Sequence, residues 1–127
     1  LTLLLQDQSG GLQVCAKSGD WVEAPPLEGT IVCNIGDLLA RWSNDRLVST
    51  PHRVALPPPD AGGISRRLSI GFFVGPRYNA MVECLPTCCN SDDLPRYAPI
   101  SVHDYRTNRF AAGAGDNKPY ELAENEG

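Results

Sequence analysis

Turn residues cut this chain into short pieces, and that constrains its fold more than any other feature. Each β-type run ends after a few residues at a glycine, a proline or an Asn/Asp/Ser cluster. Residues 2–7 read as a strand, Gln8-Ser9-Gly10-Gly11 as a turn, and residues 12–15 as the partner strand of a hairpin-like arrangement. Ser18-Gly19-Asp20 turns the chain again before a short strand at Trp21-Val22-Glu23, which stops at Pro25-Pro26. A β-rich run over 30–35 follows Gly29. Asp37 then reads as the cap of a short helix over 38–42, accepting the unpaired amide hydrogens of its first turn, and Asn44 suits a left-handed residue at its end. Many short strands with Gly/Pro turns and only brief helices indicate an all-β sandwich or barrel.

The second half of the β pattern carries the chemistry-bearing residues. Residues 47–54 read as a strand on which Thr50, His52 and Val54 share a face, with Arg53 on the other side. Three prolines and Gly62-Gly63 make residues 56–65 a loop. In the next strand, 67–74, Arg67, Ser69, Gly71 and Phe73 lie on one face. Leu68, Ile70, Phe72 and Val74 make the opposite face wholly apolar, which should fix this strand in the core. Arg66 points the other way and is solvated. Beyond Pro76 the chain is turn-rich through Asp93. Ser101-Val102-His103-Asp104 has the form of a capping box and should start a helix running to about Phe110. Residues 111–127, rich in Gly, Ala, Asn and Glu without apolar periodicity, read as a disordered tail.

Composition narrows the classes of function. Eleven Lys and Arg against 15 Asp and Glu leave a net charge of −4 with no basic stripe, which argues against nucleic acid and anionic membranes as partners. No apolar run approaches the ~20 residues that cross a bilayer. Five cysteines (15, 33, 84, 88 and 89) are an odd number at irregular spacing, so they indicate reduced thiols in a cytoplasmic protein and no disulfide framework. Cys84, Cys88, Cys89 and His103 could be imagined as a zinc site, but their spacing is unusual. Asn34 and Asp37 read as a turn-fixing residue and a helix cap, His103 as a first-turn helix residue, and Phe72, Phe73 and Trp42 as core, with Phe73 also able to line a pocket.

The order of several short motifs goes further. Leu1 to Asp7, Gly11-Leu12-Gln13-Val14, Gly19-Asp20-Trp21, Asn34-Ile35-Gly36-Asp37, Arg41-Trp42-Ser43-Asn44, Ser49-Thr50-Pro51-His52-Arg53-Val54, Arg67-Leu68-Ser69 and Cys84-Leu85-Pro86-Thr87-Cys88 occur in one sequence. Together they resemble the C-terminal part of the iron(II)/2-oxoglutarate-dependent dioxygenases, in the isopenicillin N synthase-like branch. The resemblance covers most of the chain. It implies a double-stranded β-helix (jelly roll), of which residues 1–110 would be the C-terminal part with short peripheral helices. It implies Fe(II) as metal, 2-oxoglutarate as cosubstrate, ascorbate as reductant, molecular oxygen, and a small organic substrate that is hydroxylated, desaturated or cyclised.

Residue by residue, the resemblance makes His52 an iron ligand and Arg67 and Ser69 the grip on the far carboxylate of 2-oxoglutarate. The types suit those roles: imidazole binds Fe(II) well, and an arginine fork holds a carboxylate through two parallel charge-assisted bonds that lysine cannot copy. The family's first two ligands, a His-x-Asp pair, lie just before the stretch matching Leu1, and no such pair exists in this sequence. The chain is therefore expected to be part of a longer enzyme and inactive alone. Two other readings stand beside this one: an oxidase of the same family that does not use 2-oxoglutarate, and a non-catalytic jelly-roll binding module.

Overall fold

Pairing between distant segments organises most of the strands, beside one local hairpin over residues 12–23. The computed structural model describes residues 1–55 and 66–114. In chain order these form β1 (Thr2–Gln6), β2 (Leu12–Cys15), β3 (Trp21–Glu23), β4 (Val32–Asn34), α1 (Asp37–Trp42), β5 (His52–Val54), β6 (Ser69–Phe73), β7 (Met81–Val82), β8 (Ile100–Ser101) and α2 (Val102–Ala114). Two three-stranded antiparallel sheets, ordered β4-β1-β6 and β3-β2-β5, are accompanied by the small pair β7-β8. The long Pro/Gly loop and the far part of the expected tail lie outside the described residues.

The expected hairpin of β1 and β2 does not form, because those strands belong to different sheets. Residues 7–11 are too engaged elsewhere to make a tight turn. One carboxylate oxygen of Asp7 accepts from the Ser9 amide at 3.0 Å, and the other from the Leu68 amide at 2.6 Å. Gly10 and Gly11 then both take positive φ, +72° and +82°, and lead the chain into the second sheet. A Cβ on Gly11 would lie 2.8 Å from the Ala55 carbonyl oxygen, so backbone approach as well as φ demands glycine there.

Four further expectations are corrected. The strand expected over 47–54 begins only at His52, although Cys15 still donates its amide to the Pro51 carbonyl at 2.9 Å. Asp37 is the first residue of α1 and not its cap: Gly36 holds the cap position, with no side-chain capping bond. Asn34 fixes no turn, since it sits in β4 opposite Thr2. Helix α2 continues past Phe110 to Ala114, so residues 111–114 are helical. Its start is as expected, with the Ser101 hydroxyl accepting from the Asp104 amide at 3.0 Å.

The apolar face of β6 is the largest departure. Leu68, Ile70 and Phe72 are 64%, 60% and 64% exposed, so they do not anchor the strand within this chain. What holds β6 is its five-residue ladder with β1, Thr2↔Phe73 through Gln6↔Ser69. Among the described residues the buried apolar side chains are Leu12, Ala40, Val82 and Val102, three of which belong to the region where α1, β7 and α2 meet.

Asn44 organises that region. It takes the left-handed conformation expected of it (φ +52°) and is 2% exposed. Its side-chain amide donates to the Asp93 carboxylate (3.3 Å) and the Leu94 carbonyl (3.2 Å), and its oxygen accepts from the Arg96 amide (2.9 Å). These bonds close a loop of about fifty residues. Asn44→Ala should therefore cost about 2–4 kcal/mol, combining orphaned buried groups with left-handed strain. Asn44→Gly should cost less, since it incurs only the first of these. Urea midpoints of the two variants check the order.

Candidate functional site

His52 stands on β5, paired opposite Val14 of β2. Alternation along the strand sends its neighbour Arg53 to the other face. There the Arg53 guanidinium lies 4.1 Å from the centre of the Trp21 ring, and its Nε donates to Gln13 Oε1 at 2.8 Å, a structural role. The His52 imidazole is exposed, with Nδ1 3.2 Å from the Thr50 carbonyl oxygen. A carbonyl can only accept, so in the neutral ring this contact suits the tautomer with the proton on Nδ1, the one that offers Nε2 to a metal.

Arg67 lies two residues before β6 and is half-buried. Its Nε donates to the Gly10 carbonyl at 2.8 Å, Nη1 to Ser69 Oγ at 2.8 Å, and Nη2 to Gln6 Oε1 at 3.0 Å. The register explains the last two contacts: Gln6 and Ser69 are direct partners across the ladder, and both reach the same guanidinium. Among the described residues, three of five N–H donors are used, leaving one hydrogen on each terminal nitrogen. These two hydrogens remain for a further acceptor. Because Ser69 accepts from Arg67, its own hydroxyl hydrogen is directed elsewhere and can serve the same ligand.

The two constellations meet at one turn. Gly10 accepts from Arg67, and the next carbonyl, Gly11, accepts from the Ala55 amide at 2.8 Å. His52 lies three residues before Ala55, ~10 Å along an extended strand. His52 and Arg67 thus belong to different sheets joined through adjacent carbonyls. The sequence pointed to His52, Arg67 and Ser69 but not to Gln6 and Gly10, which orient the guanidinium. The only trace of Gly10 was its place in the expected turn over residues 8–11.

A cavity of about 450 Å³ is walled by Leu1, Leu39, Trp42, Phe73, Tyr105 and Arg106 among others, and none of His52, Arg67 and Ser69 borders it. Phe73 therefore lines this cavity, which Arg67 does not border, and is not core. Among the described residues, no group of three or more His, Cys, Asp or Glu is placed to hold a metal ion. His103 sits in the first turn of α2 as expected, its Nδ1 3.0 Å from Asp104 and its ring edge-on to Tyr78.

Asp37 has partners that its sequence neighbourhood did not suggest. Its carboxylate accepts from the Ser49 hydroxyl at 2.6 Å and the Tyr105 hydroxyl at 2.8 Å, and Arg109 approaches to 3.5 Å. Burial pushes its pKa up, but the hydrogen bonds from Ser49 and Tyr105 and the charges of Arg109 and His52 outweigh it, so the carboxyl lies below its ordinary value. Burial and the Asp37 carboxylate together push the Tyr105 phenol well up.

Known proteins resemble this chain throughout. A family model described as the 2OG-Fe(II) oxygenase superfamily matches residues 1–76. A 2-oxoglutarate-Fe(II) type oxidoreductase, hxnY of Emericella nidulans, is 41% identical over 127 residues, covering 98% of this chain and 35% of its own length. Scopoletin 8-hydroxylase of Arabidopsis thaliana is 37% identical over 123 residues, 97% of this chain and 33% of that protein. The crystal structure of a full-length Neurospora crassa protein in complex with alpha-KG and thymine superposes with a TM-score of 0.79 at 42% identity, over 88% of this chain and 34% of that one. This chain thus spans about a third of the length of the relatives it matches.

The Asp37 cluster has a pH signature. A carboxyl whose folded pKa is depressed adds stability above its unfolded value, and that stability is lost as pH falls through the folded value. Asp37→Asn should lower stability at pH 7 by about 1 kcal/mol, the side chain being partly exposed. The gap to the parent should narrow below about pH 4. Urea titrations of both proteins at pH 7 and pH 3 measure it.

Proposed function

Because this chain belongs to the 2OG-Fe(II) oxygenase superfamily, we propose that it is the C-terminal part of a non-haem Fe(II)/2-oxoglutarate-dependent dioxygenase acting on a small organic substrate. The parent fold in this reading is the double-stranded β-helix, to which the two three-stranded sheets contribute. The observation that carries the proposal is the Arg67–Ser69 pair, 2.8 Å apart, with its guanidinium aimed by Gly10 and Gln6.

The residues present fit the groups the family uses. Arg67 would bind the distal carboxylate of 2-oxoglutarate through its two terminal nitrogens, and Ser69 would donate a third hydrogen bond. His52 would offer Nε2 to iron, its ring oriented by the Thr50 carbonyl. When bound, Fe(II) and 2-oxoglutarate supply the oxidising chemistry, turning the cosubstrate to succinate and carbon dioxide while the substrate is hydroxylated, desaturated or cyclised. The remaining two iron ligands, a His-x-Asp pair in this reading, belong to a part of the parent outside this sequence.

Two observations favour a longer parent over a self-sufficient binding module. The relatives are about three times as long. The exposed apolar face of β6 offers a surface that further chain would cover. Use of 2-oxoglutarate is favoured over the oxidase variant of the family by structural neighbours that hold alpha-KG.

Variants of the full-length protein separate the roles. Arg67→Lys keeps the charge but loses the fork, so the apparent 2-oxoglutarate constant should rise at least about tenfold, ~1.4 kcal/mol, while iron binding persists. Ser69→Ala should cost less, since one donor is lost and the charge remains. His52→Ala should abolish turnover at any 2-oxoglutarate concentration. Succinate release and iron titration read these outcomes; unchanged 2-oxoglutarate dependence in Arg67→Lys would remove the cosubstrate role from Arg67.

The 127-residue chain alone, with one imidazole ligand, should bind Fe(II) weakly and release no succinate. Turnover by this chain above that of its His52→Ala variant would overturn its reading as a partial enzyme.

A further inference from the structure

The chain between β7 and β8 carries three of the five cysteines and none of the residues of the candidate site. Cys84 stands just before a single 3-10 turn, Pro86–Cys88, which the Cys88 amide closes onto the Leu85 carbonyl at 2.7 Å. The turn brings Cys89 back over Leu85. As a result the thiols of Cys84 and Cys89 donate to the same Leu85 carbonyl oxygen, each at 3.5 Å. Two sulfurs on one oxygen can be no farther apart than the sum of those distances. The Cys84 thiol is accordingly raised to about 11, first by burial and then by the neighbouring Cys89, with smaller contributions from Cys88 and Asp93.

The surrounding backbone holds this arrangement in place. The Leu85 amide donates to the Trp42 carbonyl at 2.9 Å, at the end of α1, and Arg46 Nη1 to the Thr87 carbonyl at 3.0 Å. Just beyond the turn, Asn90 accepts from the amides of Asp92 and Asp93, both at 2.8 Å. Such fixed positions reduce the conformational cost of joining the sulfurs. Both cysteines are half-buried, so a small reagent can reach them. No metal-ligating group of three gathers here among the described residues.

We propose that Cys84 and Cys89 form a dithiol redox site, which an oxidant of the peroxide class closes to a disulfide across the 3-10 turn. Cys84 stays protonated at neutral pH, so the first attack falls to Cys89. Its sulfur attacks one peroxide oxygen and the O–O bond breaks. Cys89 becomes a sulfenic acid, and the departing hydroxide takes up a proton to leave as water. The Cys84 sulfur then attacks the Cys89 sulfur. The S–S bond forms, the S–O bond breaks, and the oxygen leaves with the Cys84 proton as a second water. Two thiols lose two electrons, and one hydrogen peroxide gains them.

The test uses the full-length protein, reduced, exchanged into buffer and treated with hydrogen peroxide. It is then alkylated with iodoacetamide under denaturing conditions and cut with trypsin. Cleavage after Arg77 and Arg96 releases residues 78–96, which contain all three cysteines. After peroxide this peptide should weigh two hydrogens less and take one alkyl group in place of three. Dithiothreitol before alkylation should restore three, and the peptides holding Cys15 and Cys33 should remain fully alkylated at the same dose. Oxidation of Met81 is read separately as an added oxygen.

Cys88→Ser should keep the pairing and leave no thiol to alkylate. Cys84→Ser and Cys89→Ser should abolish it and leave two; circular dichroism checks their folding, and Cys84→Ala repeats the test where Cys84→Ser is unfolded. Wild-type protein unfolded in urea before peroxide should lose the preference for this peptide. Three alkyl groups on the wild-type peptide, sulfinic acid without a disulfide, or pairing lost in Cys88→Ser but kept in Cys89→Ser would each overturn the proposal.

Discussion

Two adjacent carbonyls, those of Gly10 and Gly11, join the two sheets and the two halves of the candidate site. Gly10 receives Arg67, at the entry to β6, and Gly11 receives Ala55, at the exit of β5. Consecutive peptide planes can present both carbonyls only because the chain takes positive φ twice in succession. The Ala55 oxygen, 2.8 Å from where a Gly11 Cβ would stand, leaves no room for a side chain. The positions of imidazole and guanidinium therefore share one backbone determinant, far in sequence from both.

The balance of forces differs between the two regions of the chain. Around α1, β7 and α2, buried Ala40, Val82 and Val102 are supported by the Asn44 bonds. The sheet carrying β6 relies on its ladder, and a backbone hydrogen bond contributes only about 1 kcal/mol net. Burying a large apolar side chain is worth about 1.5–3 kcal/mol. Covering the remaining 60–64% of Leu68, Ile70 and Phe72 would thus contribute roughly 3–6 kcal/mol, a large share of the stability of an ordinary domain. The strand that presents Ser69 would gain strongly from a partner packed over that face.

How much of this could be read in the sequence follows from the range of each interaction. Local features were legible: the left-handed Asn44, the Ser101 cap, the alternation that separates His52 from Arg53, and the two-residue spacing that brings Arg67 to Ser69. The β1–β2 relation was misread because a Gly-rich turn looks alike whether the chain returns to the same sheet or crosses to another. Asp37 was misread because its partners Ser49 and Tyr105 are 12 and 68 residues away, while its neighbours suggested a cap. The β6 face was misread for a different reason. Alternation tells which side of a strand is apolar, and it says nothing about whether the same chain supplies a cover.

The partners of Arg67 explain why the site remains suited to an anion. Each group it contacts is neutral: a backbone carbonyl, a glutamine amide and a serine hydroxyl. An acid stands close by in sequence, since Asp7 follows Gln6, and an ion pair with it would quench the guanidinium. The fold prevents this by giving both oxygens of Asp7 to backbone amides, those of Ser9 and Leu68, which are the leading causes of its depressed pKa ahead of Arg67. Asp7 thereby fixes the entry to β6, and Arg67 keeps its charge uncompensated by any direct partner among the described residues. Orientation by neutral acceptors and retention of charge are both needed for a carboxylate grip, because a fork already paired with a carboxylate would have to give it up before accepting another.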